Sequence, residues 1–264
     1  MTSEHLVFPG PQLKIVATVS AGYNHCNPDE LRARGVKLSN TPEVLSSTVA
    51  EIAVSLMLGA ARRFTENLQQ VRSGEWEIGF DKVLGQDLRG STVGFIGFGG
   101  IGQATARRLA GFEVAKLVYS GHREKPEAKS LGAEFVSQDE LLRQSDFIVL
   151  AVPLTNETRH MINSETLATM KKNAILVNVG RGDLVDQEAL YDALKSHQIY
   201  AAGLDVTTPE PLPKDHKLLT LPNIFILPHI GSATVRTRSD MAVLAANNVV
   251  SALTGKPLLT PVHL

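Results

Sequence analysis

Residues 92–109 read TVGFIGFGGIGQATARRL, and the fold turns on how this stretch changes character. Val93, Phe95 and Ile96 make an apolar run of strand length. Glycines then fall at 97, 99 and 102, and a helical pattern follows (Ile101, Thr105, Ala106, Leu109). The pattern G-x-G-x-x-G between a strand and a helix suits a dinucleotide. Gly97 makes the tight turn, Gly99 lets the backbone approach a pyrophosphate, and Gly102 lets helix and strand pack closely. The helix N-terminus adds unpaired N–H groups and the positive end of the helix dipole. Glycine-rich turns also arise for packing alone, but here strand, turn and helix come in the order the site requires.

Outward from this unit, the chain after residue 91 alternates strands and helices. Strands are predicted at 93–96, 116–119, 134–136, 147–152, 174–179, 201–206 and 224–227, with helices at 164–170 and 187–196 between them. Such alternation predicts an α/β, doubly wound parallel-sheet Rossmann domain, placed at residues 81–230. Before it, strands are expected at 13–19 and 36–38, and a short helix begins at Asn27-Pro28-Asp29 and stops at Gly35. A longer helix at 48–62 carries Val49, Ile52, Ala53, Leu56, Met57 and Ala60 on its apolar positions. Residues 63–90 are mixed in pattern and read as an extended arm or linker. After Gly231 come a helix at 233–253 and a loose tail. Residues 1–80 and 231–264 are therefore assigned to a second, discontinuous domain. Two short strands and one good helix are few for an independent sheet domain. Such a lobe either leans on the Rossmann domain and a partner chain or lacks an N-terminal portion, and the second is the expectation adopted.

Composition narrows the function classes. The 264 residues include 20% charged residues and carry a formal net charge of -1, with no basic or acidic tail, so neither nucleic acid nor a membrane surface is an expected partner. Cys26 is the single cysteine, which rules out an internal disulfide and fits a reducing compartment. No Cys/His cluster has zinc-ligand spacing, so no metal is expected. The longest apolar run, near 52–61, is too short to span a bilayer. The opening MTSEHLVFPG lacks the order of a signal peptide. A soluble, cytoplasmic α/β protein is the expectation.

The end of the second Rossmann strand bears on the cofactor. An NAD site usually places Asp or Glu there to bind the ribose 2′-OH. This chain reads Tyr119-Ser120-Gly121-His122-Arg123-Glu124-Lys125, with no acid at 120 or 121 and three basic residues following. Arg and Lys attract a 2′-phosphate that an acid would repel. The loop also reads as an ordinary solvated basic turn; the expectation is NADP (NADPH), with NAD possible.

Three segments sit just past predicted strands, where open α/β sheets place their ligands. They are Asn178-Val179-Gly180-Arg181-Gly182-Asp183, then Asp205-Val206 with Pro209-Glu210-Pro211 beyond, and Leu227-Pro228-His229-Ile230-Gly231-Ser232. An Arg, a Glu and a His converging at strand ends form a device for reducing a keto acid. Arg181 would pair with the carboxylate and polarise the carbonyl, His229 would donate the proton, and Glu210 would hydrogen-bond the imidazole and favour its charged form. Each also has a plain structural reading: a salt-bridged Arg, a Glu in a proline turn, a satisfied structural His.

The ordered set GFGGIG, NVGRGDLVD, GLDVTTPEP and LPHIGSAT resembles the D-isomer-specific 2-hydroxyacid dehydrogenase family, over nearly the whole chain from about residue 13. The resemblance implies that Arg181, Glu210 and His229 are the catalytic residues. It implies that Ala21 and Gly22 bind the substrate carboxylate through backbone N–H groups. It also places Asp205 and the run His229, Ile230, Gly231 and Ser232 at the substrate, and Gly99, Gly100, Ile101, His122, Arg123, Glu124, Lys125, Pro153, Val179 and Gly231 at the cofactor. Ala21 and Gly100 stand where a valine and an arginine are usual. By the resemblance the second domain is a flavodoxin-like substrate domain, incomplete at its N-terminus because members start several dozen residues earlier. Members are homodimers, held through the helix at 48–62 and the arm after it. The expected reaction is NADPH-dependent reduction of glyoxylate or hydroxypyruvate to the 2-hydroxy acid. The alternatives are a truncated, catalytically impaired cofactor-binding protein and, ranked below it, a cofactor-sensing corepressor.

Overall fold

A computed structural model describes residues 12–76, 79 and 84–264. Among these the chain separates into two compact units, one of residues 49–231 and one of residues 12–48 and 232–264.

The larger unit is built on a parallel seven-stranded sheet. Its strands are β3 (Thr92–Ile96), β4 (Lys116–Ser120), β5 (Ala133–Phe135), β6 (Phe147–Leu150), β7 (Ile175–Asn178), β8 (Ala201–Leu204) and β9 (Ile224–Ile226), in the order β5-β4-β3-β6-β7-β8-β9. Strands β6, β7 and β8 are buried along their full length, as strands covered on both faces must be. The winding reverses between β3 and β6, and that crevice is where doubly wound sheets bind ligands. The strand ends fall one or two residues short of the predicted runs at 152, 179 and 206, because the ladder stops where the chain bends into the loops that carry the polar residues.

Several features differ from expectation. Residues 63–90 were expected as an extended arm, yet Phe64–Ser73 is a helix, closed by Gly74 at φ 77°. Its apolar residues Phe64, Leu68 and Val71 recur at helical spacing, but all three stay exposed, so the stripe does not announce a buried face. Thr65 ties the helix to β9 by donating from Oγ1 to the Ile224 carbonyl at 2.6 Å. The remainder of that arm lies partly outside the described residues. The unit boundary also falls at 48/49, where the sequence placed it at 80/81. From Val49 onward the helix Ser46–Ala61 lies against the sheet through two glycines. A Cβ on Gly59 would stand 2.4 Å from the Phe225 ring, and one on Gly203 would stand 2.8 Å from the Leu56 carbonyl.

In the smaller unit, β1 (Ile15–Ala17) and β2 (Lys37–Ser39) pair in parallel, and β10 (Pro261–Val262) adds antiparallel to β2. The expected loose tail is thus a strand. Its fastener is Asn248, fully buried on the helix Val235–Leu253. Asn248 Oδ1 accepts the N–H groups of Leu259 (2.9 Å) and Thr260 (3.1 Å), and its Nδ2 donates to Thr260 Oγ1 at 2.9 Å. Thr260 Oγ1 in turn donates to the Asn40 carbonyl at 2.5 Å. Val16, Cys26, Leu31, Val36 and Leu38 form this unit's core.

Candidate active site

The turn after β3 has the geometry its glycines require. Gly97 sits at φ 91°, and a Cβ there would lie 2.7 Å from the Ala151 carbonyl. A Cβ on Gly102 would lie 2.6 Å from the Gly97 carbonyl, so the helix Gly100–Leu109 packs directly on the turn. Gly99 is different: its φ is -81°, and a Cβ there would meet nothing within 4 Å. Neither backbone nor packing asks for glycine at 99, which leaves open room over the helix N-terminus. Among the described residues no side chain caps that terminus, which leaves its N–H groups to the room. A pyrophosphate fits this cradle. Gly99 and Gly100 are exposed and Ile101 half-buried around it.

Strand β4 ends at Ser120, whose carbonyl accepts the Gly97 N–H at 3.0 Å. His122, Arg123 and Glu124 follow, exposed. Lys125 is anchored by its backbone N–H on the Tyr119 hydroxyl at 2.8 Å, and the Tyr119 ring stacks on Phe98 with centroids 4.5 Å apart. The basic loop thus hangs from a rigid aromatic base. Pro153 lies exposed past β6 and Val179 buried past β7, both beyond the same ends of the sheet.

Arg181, Glu210 and His229 lie on the loops that follow β7, β8 and β9, three neighbouring strands. Between the first two loops, Gly182 removes the obstacle: a Cβ on it would fall 2.1 Å from the Thr207 backbone. Asn178 shapes the Arg181 loop, donating to the Arg181 carbonyl (2.8 Å) and accepting the Gly180 N–H (3.0 Å). Glu210 turns back on its own loop, so that Oε1 accepts the Thr207 N–H at 3.1 Å while Oε2 meets His229 Nδ1 at 2.7 Å. Burial pulls the Arg181 guanidinium below its ordinary pKa, and the negative charge of Glu210 opposes that shift.

His229 is held in a left-handed backbone conformation, φ 53°, which non-glycine residues adopt at a cost and which gathers at functional sites. Asp205 explains how it persists. The residue is 2% exposed, and its carboxylate accepts the N–H of Ile230 on Oδ1 and that of Gly231 on Oδ2, both at 2.8 Å. Its carbonyl accepts the His229 N–H, also at 2.8 Å. Burial raises the Asp205 pKa, countered by those two N–H groups and by His229. Gly231 leaves room for this brace, since a Cβ there would lie 2.8 Å from Asp205 Oδ2.

Ala21, Gly22 and Ser232 belong to the smaller unit. Ala21 and Gly22 follow β1, with the Ala21 carbonyl accepting from Asn40 Nδ2 at 2.6 Å, and Ser232 precedes the last helix. The sequence named Asn178 and Gly182 in the segment around Arg181 without giving them a role, and Thr207 was not singled out; in the structure all three shape the loops that carry the candidate side chains. The tight run Asn178-Val179-Gly180-Arg181-Gly182, with polar and glycine residues around one arginine, was the available signal.

The family of D-isomer specific 2-hydroxyacid dehydrogenases, through its NAD-binding domain, matches residues 54–231. This chain belongs to it. Among members of the family, the human glyoxylate reductase/hydroxypyruvate reductase is 50% identical over 251 residues, 94% of this chain and 76% of that protein. A glyoxylate reductase of Thermococcus kodakarensis is 49% identical over 252 residues, 93% of this chain and 75% of that protein. The crystal structure of an NADPH-dependent glyoxylate/hydroxypyruvate reductase from Sinorhizobium meliloti, in complex with NADP and malonate, superposes with a TM-score of 0.88 at 36% identity, covering 97% of this chain and 80% of that one. As in other dehydrogenases of this family, the Rossmann unit serves a nicotinamide cofactor.

Proposed function

We propose that the protein reduces glyoxylate or hydroxypyruvate to the 2-hydroxy acid with NADPH, and that His229 is the proton donor. The observation that carries this reading is the His229–Glu210 pair, 2.7 Å apart on the loops after two neighbouring strands, with Arg181 on the next. The names of the relatives supply the substrate class.

A nicotinamide cofactor, when bound, supplies the hydride. Arg181 pairs with the substrate carboxylate and polarises the keto oxygen. Because Nδ1 of His229 is engaged by Glu210, Nε2 is the ring atom left to protonate that oxygen as negative charge develops on it. Glu210 fixes the ring and stabilises its positive charge before the proton leaves. Asp205 keeps the backbone of 229–231 in place beneath them. Gly97, Gly99, Gly100 and Ile101 would hold the pyrophosphate, with Pro153, Val179 and Gly231 along the rest of the cofactor. His122, Arg123 and Lys125 would receive the 2′-phosphate, with Glu124 in the same loop.

The exposed stripe Phe64, Leu68 and Val71 on the helix after residue 63 supports assembly as a homodimer. Among the described residues no helix is long and apolar enough to cross a membrane; a cytoplasmic setting is part of the proposal.

Initial rates with each acid, with NADPH and with NADH, test the reading on folded protein. Turnover that favours NADPH is the expected result. Turnover favouring NADH would overturn the assignment of the basic loop. A folded protein that binds NADPH but reduces neither acid would be a cofactor-binding protein instead.

A further inference from the structure

We propose that Gln187 is a positioning residue for the Glu210–His229 pair, acting through the backbone of Thr208. The proposal rests on the reading that this pair performs the proton transfer. Gln187 opens the helix Gln187–Lys195, and its carboxamide grips both backbone groups of one residue. Oε1 accepts the Thr208 N–H at 2.9 Å, and Nε2 donates to the Thr208 carbonyl. A neighbouring strand would offer this same double pairing, but Thr208 lies beyond the end of β8 and has no ladder partner. The residue before Thr208 supplies the N–H that holds Glu210 Oε1, and Glu210 itself lies two residues beyond. The same loop also presses against Gly182, where an added Cβ would meet Thr207 and the Thr208 hydroxyl. Gln187 and Gly182 therefore both hold the loop at Thr207 and Thr208, and the carboxylate of Glu210 is aimed by where those two residues are held.

The charged groups around His229 are Glu210, Asp205 and, through Glu210, Arg181. Gln187 is neutral, so its influence is geometric. The helix start does not depend on its side chain, because Asp186 caps it by accepting the N–H groups of Glu188 and Ala189. Thr208 is exposed, so water can take up its backbone groups when Gln187 is replaced. The fold survives that replacement while the aim of Glu210 is lost.

The test compares Gln187→Met, of equal length without donor or acceptor, with Gln187→Glu, which keeps only the acceptor for the Thr208 N–H. In cofactor-free protein, proton NMR should show the downfield imidazole Nδ1 proton of His229 broadened or shifted upfield by Gln187→Met, with faster exchange of the Thr208 amide. Gln187→Glu keeps the acceptor for the Thr208 N–H but sets a carboxylate oxygen against the Thr208 carbonyl, so it should restore the amide protection and not the imidazole signal. With NADPH and keto acid, Gln187→Met should lower kcat about tenfold and leave the KM for cofactor unchanged. Wild-type kcat and an unmoved imidazole proton in Gln187→Met would overturn the proposal. If the proton signal responds as expected but the wild-type protein reduces no keto acid, the positioning role stands and the proposed reaction falls.

Discussion

Gly182 and Thr207 touch backbone to backbone: a methyl group on Gly182 would stand 2.1 Å from the Thr207 carbonyl carbon and oxygen. This approach lets the Arg181 and Glu210 loops share one site. Those atoms are backbone and cannot swing aside, so Gly182→Ala must move one loop. Overpacking of this kind costs about 1–3 kcal/mol, and the displaced loop carries Arg181 or Glu210 with it. Gly182→Ala is expected to lower the denaturation midpoint and to reduce kcat more than it raises the KM for cofactor. An alanine variant with wild-type kcat would mean that the loops are free to separate.

Removing the imidazole separates chemistry from binding. His229→Ala is expected to lower kcat by about 10²–10⁴-fold, the usual worth of a general acid. NADPH should still raise the melting temperature of that variant, since the glycine turn and the basic loop are untouched. Glu210→Gln keeps a hydrogen-bond partner for Nδ1 but withdraws its charge, so a smaller loss is expected. Equal losses in the two variants would mean that the charge of Glu210, and not only its hold on the ring, is indispensable to turnover.

On the proposed reading cofactor choice rests on the loop at 122–125, where His122 and Arg123 are exposed and Lys125 is half-buried, so it can be changed without disturbing the core. Arg123→Ala with Lys125→Ala is expected to raise the KM for NADPH about tenfold, which corresponds to losing roughly 1.4 kcal/mol of phosphate contact. The KM for NADH should not change. Lys125 is held through its backbone on the Tyr119 hydroxyl, so the loop keeps its path in the variant. A parallel rise in both KM values would show that these residues do not distinguish the cofactors.

Legibility in the sequence followed the range of the interactions. The strand, glycines and helix at 92–109 were readable because a dinucleotide turn is made by neighbours in the chain. The Rossmann sheet was readable because strands buried on both faces are apolar throughout. The helix Phe64–Ser73 was not, since its apolar stripe faces outward and its few anchors, such as Thr65 on Ile224, lie far away in sequence. Strand β10 escaped for the same reason: it is two residues long and exists because Asn248 and Asn40 hold Thr260. At the candidate site, Arg181, Glu210 and His229 stood out by residue type. The brace from Asp205, the contact at Gly182 and the grip of Gln187 are backbone relationships that no residue type announces.

Acid stability should depend on Asp146, at the N-terminal end of the central strand β6, opposite the strand ends that carry the candidate site. Its Oδ2 accepts the Thr92 N–H at 2.8 Å, and its Oδ1 accepts from Lys171 Nζ (2.9 Å) and Asn173 Nδ2 (3.0 Å), linking the start of β3 to the turn before β7. Burial alone would raise its pKa, but the Thr92 N–H, Lys171 and Asn173 outweigh that and hold the carboxyl below its ordinary value. A carboxyl whose pKa is lower in the folded than in the unfolded chain stabilises the fold where both states are ionised. That contribution is present above the ordinary aspartate range, and it is lost as pH falls toward the depressed folded value. Asp146→Asn is therefore expected to lower the midpoint of urea unfolding at pH 7 and to leave a much smaller difference from wild type near pH 3. The measurement is a pair of unfolding curves at each pH. A difference that persists undiminished in acid would assign the role of Asp146 to shape rather than charge.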